Sequence, residues 1–234
     1  MGAGVKKREQ IAGMFDRIAG QYDFLNHFLS LGIDRKWRRG AIEMLRDVQP
    51  RLILDVACGT GDFAIESMRL NPDKITGVDI SPGMLAMGRK KVGEKHLEKK
   101  IEFIETASED LPFGDETFDA VTVAFGVRNF EDLDRGLREM HRVLKKGGRA
   151  VILEFSRPAA FPFKQVFGLY FRRVLPLIGR LISRDRTAYT YLPESVQSFP
   201  EGPEFLRVME RAGFRSPDSV RLTLGVCSIY TGEK

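Results

Sequence analysis

From position 52 onward, short continuous runs of apolar, largely β-branched residues alternate with segments of helical periodicity. The apolar runs occupy 52–57, 75–80, 101–104, 120–125 and 150–155, with helical segments at 62–70, 82–92 and 133–144 between them. Strands apolar at every position are buried on both faces, so this alternation predicts a parallel sheet with helices packed on each side. A helix at 203–212, ended by Gly213, and two further strands at 219–224 and 227–232 complete the pattern.

Two segments fall outside this rhythm. The first, 8–45, is helical in pattern and rich in aromatics: Phe15, Tyr22, Phe24, Phe28 and Trp37. The second, 161–199, interrupts the sheet between its fifth and sixth strands. In it Phe163, Phe167, Tyr170, Val174, Ile178 and Leu181 recur at helical spacing, and Phe171, Leu175 and Ile182 widen the stripe. Pro176 is expected to kink or break that helix. The expected organisation is one domain, 1–234, with a helical cap at 8–45, a ligand-binding core at 46–160, a lid insertion at 161–199 and closing elements at 200–234. Aromatic surface of this extent has to be covered, by the domain or by a ligand.

Composition narrows the field. The chain has 234 residues, 43% hydrophobic and 29% charged, which suits a single well-buried core. The net charge of +5 is spread along the chain without interleaved aromatics, so nucleic acid is not an expected partner. Cys58 and Cys227 match no metal-ligand spacing, and neither a disulfide nor a metal site is expected. No apolar run is long enough to span a bilayer and no signal-like stretch opens the sequence, so a cytoplasmic location is expected.

The most informative stretch is Leu52-Ile53-Leu54-Asp55-Val56-Ala57-Cys58-Gly59-Thr60-Gly61-Asp62, a strand running through a small glycine turn into a helix. Gly59 and Gly61 permit unusual backbone angles and let a ligand approach the main chain. Asp79 follows 18 positions after Gly61, at the end of the second strand. An acid at about that offset takes the ribose hydroxyls of an adenine nucleotide or nucleoside. Asp62 beside the turn would repel a pyrophosphate but suits a sulfonium or ammonium group. The loop therefore favours a nucleoside with an amino-acid tail over a dinucleotide, and resembles the first two motifs of class I S-adenosylmethionine methyltransferases.

Farther along, Thr106-Ala107-Ser108-Glu109-Asp110 follows the third strand, and Arg128 and Asn129 follow the fourth. Ligands of open α/β sheets bind outside the carboxyl ends of the strands, where both positions fall. Arg128 reads either as a substrate contact or as an ion-pair partner of nearby acids. Asn129 reads either as a substrate contact or as the cap of the following helix. Ala107 stands where the methyltransferase pattern usually has Asp or Asn.

A closer resemblance is carried by Tyr22-Asp23-Phe24-Leu25-Asn26, Trp37-Arg38, Phe125-Gly126-Val127-Arg128-Asn129, Glu139-Met140-His141-Arg142-Val143-Leu144, Leu153-Glu154-Phe155-Ser156 and Tyr189-Thr190-Tyr191-Leu192-Pro193-Glu194. Over nearly the whole chain it is similar to the ubiquinone/menaquinone biosynthesis C-methyltransferases. The resemblance implies a doubly wound, seven-stranded, Rossmann-like sheet, mostly parallel with an antiparallel last strand. It implies S-adenosyl-L-methionine as cofactor, held by Asp55, Gly59, Thr60, Gly61, Asp79, Ile80, Ala107, Ser108 and Ala124. It implies C-methylation of a polyprenylated benzoquinol or naphthoquinol, with Arg128, Asn129, His27 and Tyr22 as catalytic candidates. Arg128 ranks first, as a cation that favours the ring phenolate; His27, Tyr22 and Tyr189 in the cap are further candidates, with His27 well behind Arg128. The aromatic stripe from Phe163, with its basic residues, suits the polyprenyl tail, a peripheral membrane contact or a homodimer interface. Two other readings stay open: methylation of a different lipophilic acceptor, such as a sterol or fatty acyl chain, and a noncatalytic cofactor-binding subunit.

Overall fold

The computed structural model describes residues 2–30, 32–169 and 187–234. Seven strands form one sheet: β1 Leu52–Val56, β2 Lys74–Asp79, β3 Ile101–Glu105, β4 Phe118–Ala124, β5 Leu144–Phe155, β6 Arg215–Leu222 and β7 Cys227–Glu233. Their spatial order is β3-β2-β1-β4-β5-β7-β6. The first five pair in parallel, and β7 inserts antiparallel to both β5 and β6. The order reverses between β1 and β4, so a crevice opens at the carboxyl ends of those two strands.

The described helices are α1 Gly2–Leu29, α2 Asp34–Glu43, α3 Asp62–Ser67, α4 Pro82–Glu94, α5 Leu133–Val143, α6 Phe163–Leu169, α7 Thr187–Ser198 and α8 Pro203–Arg211. Their starts follow local chemistry. Ser81 caps α4, its Oγ accepting the Met84 N–H at 3.1 Å with Pro82 in the first turn. Asp132 caps α5 by accepting the Arg135 N–H at 2.9 Å. One sheet face packs Leu137 and Met140 of α5 against Phe205 and Met209 of α8. The other packs Trp37 and Ile42 of α2 with Phe63 of α3 and Leu85 of α4. A smaller cluster joins Met14 and Ile18 of α1 to Met84, with Tyr22 and Tyr191 against it, so α1 and α7 meet beside α4.

The structure corrects three predicted boundaries. β5 begins at Leu144 rather than 150, because Leu144 already pairs with Phe118 before the register shifts across Lys145–Gly148. The polar Lys-Lys-Gly-Gly sequence hides this bulged start. β6 begins at Arg215 and ends at Leu222; it is an edge strand, which accommodates Pro217. Residues Thr223–Gly225 form a 3₁₀ turn, with Thr223 and Leu224 at φ of 46° and 58°. The predicted kink at Pro176, and Tyr170, Phe171, Val174, Leu175, Ile178, Leu181 and Ile182 of the predicted stripe, lie outside the described residues.

Candidate active site

A cavity opens where β1 and β4 end. Asp55, Ala57, Gly59 and Thr60 line it from β1 and its turn, Asp79 and Ile80 from β2, Ser108 from the loop after β3, and Ala124, Phe125 and Asn129 from the end of β4. Arg8, Ile11, Phe15 and Tyr22 of α1 close it from above, and Arg38 of α2 completes one wall. The backbone is strained here: Ala57 and Phe125, at the ends of the two seam strands, have φ of 50° and 58°. Each costs on the order of 1–2 kcal/mol, and both turn the chain away from the crevice. Gly126 follows because a Cβ there would stand 2.6 Å from that of Ala57.

Asp79 holds the turn and keeps capacity in reserve. One carboxylate oxygen accepts the Gly59 N–H at 2.8 Å and the other the Ser81 N–H at 2.9 Å. Asp79 lines the cavity, and a carboxylate has acceptor capacity beyond these bonds. Burial raises the Asp79 pKa above the usual carboxylate range, although these backbone donors oppose the shift. Asp55 is fully buried. Thr122 donates to Asp55 Oδ1 at 2.9 Å, whereas Oδ2 has no partner. Burial pushes this carboxyl up to about 7, against the Thr122 hydrogen bond, the Ala64 backbone N–H and the more distant Arg38. An anion with a vacant acceptor in a cavity wall is matched by a ligand ammonium.

Asp62 lines the cavity, but its charge is already compensated. Its carboxylate already meets the Lys91 ammonium and lies 3.7 Å from Arg38 Nη2 and 3.8 Å from His27 Nε2. Burial raises its pKa, but Lys91 and Arg38 outweigh that and hold it below the usual range. Gly61 is packed against a ring. It does not line the cavity; a Cβ there would fall 2.6 Å from the Phe103 ring, which also presses on Gly77 and Gly88. Gly59 lines the cavity, with open space around its missing Cβ at φ of 54°. Cys58 packs beneath the turn, and burial raises its thiol pKa well above normal, with Asp79 and Asp55 adding to the effect.

Ala107 is buried and does not line the cavity; Thr106 and Ser108 on either side of it do. Asn129 is not the helix cap, a task taken by Asp132; its Oδ1 instead accepts the Tyr191 hydroxyl at 2.9 Å. Arg128 is likewise absent from the cavity wall. Its side chain, 6% exposed, pairs with buried Glu154 at 2.7 Å, donates to the Phe125 carbonyl and Ser195, and lies 5.5 Å over the Phe155 ring. Its charge still reaches the wall. Burial raises the pKa of Tyr22 and Tyr191, and Arg128 pulls both hydroxyls back down. His27 stands off the cavity, its Nδ1 2.7 Å from Asp34 Oδ2. The side chain of Tyr189 lies outside the described set.

Sequence reasoning missed the contribution of α1. Asp16 accepts the Ser81 hydroxyl at 2.6 Å and the Gly83 N–H at 2.8 Å, and Asp23 meets Lys91 at 2.8 Å. These pairs hold α1 over the cofactor loop. Arg8 adds a contact to Glu131 at 3.2 Å at the cavity rim. Isolated acids on a helix of mixed pattern gave no sign of a long-range partner. Among the described residues no group of His, Cys, Asp and Glu is arranged to hold a metal.

The ubiE/COQ5 methyltransferase family model matches residues 3–234. The chain belongs to this family. It is 52% identical over 230 residues to the demethylmenaquinone methyltransferase of Bacteroides fragilis, covering 98% of this chain and 94% of that one. It is 50% identical over 231 residues to a ubiquinone/menaquinone biosynthesis C-methyltransferase of Geobacter sulfurreducens, covering 98% and 90%. A crystal structure of an S-adenosylmethionine-dependent methyltransferase from Thermotoga maritima shares the fold, with a TM-score of 0.66, 20% identity, and coverage of 95% and 99%. The protein is an S-adenosylmethionine-dependent methyltransferase with the Rossmann-like sheet of that class. No described helix is long and apolar enough to cross a membrane.

Proposed function

We propose that this enzyme C-methylates the ring of a polyprenylated quinol, with demethylmenaquinol as the acceptor and menaquinol as the product. The observation that carries the cofactor side is the pair of carboxylates in one cavity: Asp79 held by two backbone donors at the ribose position, and Asp55 with a vacant oxygen for an ammonium. The acceptor follows from near-full-length similarity to proteins named for demethylmenaquinone methylation. A benzoquinol is the second reading, since the Geobacter sulfurreducens relative is named for ubiquinone as well as menaquinone.

S-adenosylmethionine supplies the electrophilic methyl group. The chain's own residues bind, orient and exclude water. Asp79 takes the ribose hydroxyls, Asp55 the ammonium, and the Thr106–Ser108 loop the adenine edge. Phe125 and Phe130 form an apolar wall, and Tyr22 and Asn129, the latter bonded to Tyr191, present polar groups to the acceptor ring. For ring carbon to attack, the quinol hydroxyl must lose its proton, and a positive potential favours the phenolate. Arg128, tied to Glu154 behind Tyr22 and Tyr191, supplies that potential as a positioning residue rather than by direct contact. Exposed Phe161, Phe163 and Leu169 support placing the polyprenyl tail, or a peripheral membrane contact, along 161–199. The test is mass spectrometry of quinones from cells lacking this protein. Accumulated demethylmenaquinone supports the reading, and an unchanged quinone pool contradicts it.

A further inference from the structure

Two neighbouring residues beyond the end of β4, Arg128 and Asn129, are each held from α7. The Tyr191 hydroxyl donates to Asn129 Oδ1 at 2.9 Å, and Arg128 Nε donates to Ser195 Oγ at 3.3 Å. Tyr191 and Ser195 stand four positions apart, on one face of the helix. Asn129 lines the cavity, whereas Tyr191 does not. The 3₁₀ turn Val127–Asn129 fixes the Asn129 main chain, its N–H donating to the Gly126 carbonyl at 2.9 Å. What the turn leaves free is rotation of the carboxamide, whose two ends differ in kind: Oδ1 only accepts hydrogen bonds and Nδ2 only donates them. No described residue takes a hydrogen bond from Nδ2. The Tyr191 phenol is suited to donate. Burial raises its pKa, but of the two charges acting on it Arg128, which lowers the pKa, outweighs Glu154, which raises it. The ring packs beside Tyr22 on the cluster of Met14, Ile18 and Met84, so its place does not depend on the hydroxyl.

We propose that Tyr191 is a positioning residue: by occupying Oδ1 it sets the Asn129 carboxamide with Nδ2 toward the acceptor, so that the quinol oxygen meets a donor. This rests on the quinol reading above and deepens it, because it fixes the polarity that the site presents to the ring oxygen. A donor favours the phenolate over the neutral hydroxyl, since its bond to the anion is charge-assisted. A carboxamide turned the other way would present Oδ1, which accepts a hydrogen bond from the neutral quinol and repels the phenolate. Both orientations hold the neutral quinol, but only one holds the ionised ring that attacks the methyl group. The contribution of Tyr191 therefore falls on turnover rather than on acceptor binding.

The test is the pH dependence of kcat, and of the KM for chemically reduced demethylmenaquinone, in the wild-type protein, Tyr191→Phe, Asn129→Ala and the double variant. The phenylalanine keeps the packing and removes only the donor. Tyr191→Phe should lower kcat about tenfold or more at neutral pH, the effect of one hydrogen bond to a charged group. The KM for the quinol and the affinity for S-adenosylhomocysteine should stay within about twofold. The loss should shrink toward higher pH, the rising limb of kcat moving up by about one pH unit, which corresponds to a tenfold weaker preference for the phenolate. In the Asn129→Ala background the same substitution should cost nothing further. Wild-type kcat in Tyr191→Phe would overturn the inference, as would a loss equal at every pH or losses that multiply in the double variant. A wild-type protein that binds the cofactor but does not methylate the quinol would overturn the acceptor reading itself, and the inference with it.

Discussion

Asp55 and Thr122 lie in register across the β1–β4 seam, and the threonine hydroxyl donates to Asp55 Oδ1 at 2.9 Å while Oδ2 has no partner. The seam where the strand order reverses thus places a half-satisfied carboxylate under the ligand. Because burial raises its pKa to about 7, the free protein holds Asp55 largely protonated in mild acid. A bound ammonium favours the ionised form, so binding releases a proton. Cofactor affinity should rise with pH, by up to about tenfold per unit below 7, and level off above it. Calorimetry between pH 5.5 and 8 checks this, and Asp55→Asn should flatten the rise.

Asp79 has two tasks, which its variants separate. Asp79→Ala removes the partner of the ribose and also strands the Gly59 and Ser81 N–H groups, so affinity and melting temperature should both fall. Asp79→Asn keeps an acceptor for one N–H. It should lose about 1.5–3 kcal/mol of cofactor binding with a smaller loss of stability. Unchanged affinity in either folded variant would remove Asp79 from the cofactor site.

Gly61 and Phe103 form a packing pair. Gly61→Ala puts a Cβ into the phenylalanine ring at a left-handed backbone position, φ 78°. The expected loss is about 2–4 kcal/mol, combining overpacking with the left-handed cost. Adding Phe103→Leu should restore the overpacking part alone. Additive losses in denaturant unfolding would mean that the ring does not set the requirement for glycine.

Arg128 and Glu154 must be tested together. Arg128→Ala leaves a buried carboxylate unpaired, a change expected to cost about 3–5 kcal/mol, so its loss of turnover is ambiguous. The double variant Arg128→Met, Glu154→Leu removes both charges. It should keep cofactor affinity and much of the stability while turnover drops, because Tyr22 loses the positive potential of Arg128 and Tyr191 loses its larger effect along with the smaller opposing one of Glu154. Near wild-type turnover in the double variant would leave Arg128 a purely structural residue.

The sheet was legible because its strands are apolar at every position and glycine, proline and capping residues punctuate the helices. The strand ends were harder to read where tertiary pairing overrides local pattern, as in the bulge before Gly148 and the edge strand through Pro217. At the site, motif spacing located Asp55, Gly59 and Asp79, but which charges remain free depends on long-range partners. Lys91 compensates Asp62, and Glu154 engages Arg128 across 26 positions of sequence. Arg38 shows the converse: Asp34, Asp62 and Phe125 engage its guanidinium yet leave Nε without a partner. A linear motif does not encode either outcome.

The central claim is methyl transfer to a quinol ring. Purified protein incubated with methyl-labelled S-adenosylmethionine and chemically reduced demethylmenaquinone should yield menaquinone carrying the label on a ring carbon, identified by mass spectrometry after reoxidation. The oxidised quinone, which lacks the phenolic hydroxyl that activates the ring, should take up no label. A protein that binds the cofactor but leaves the reduced quinol unlabelled would contradict the account.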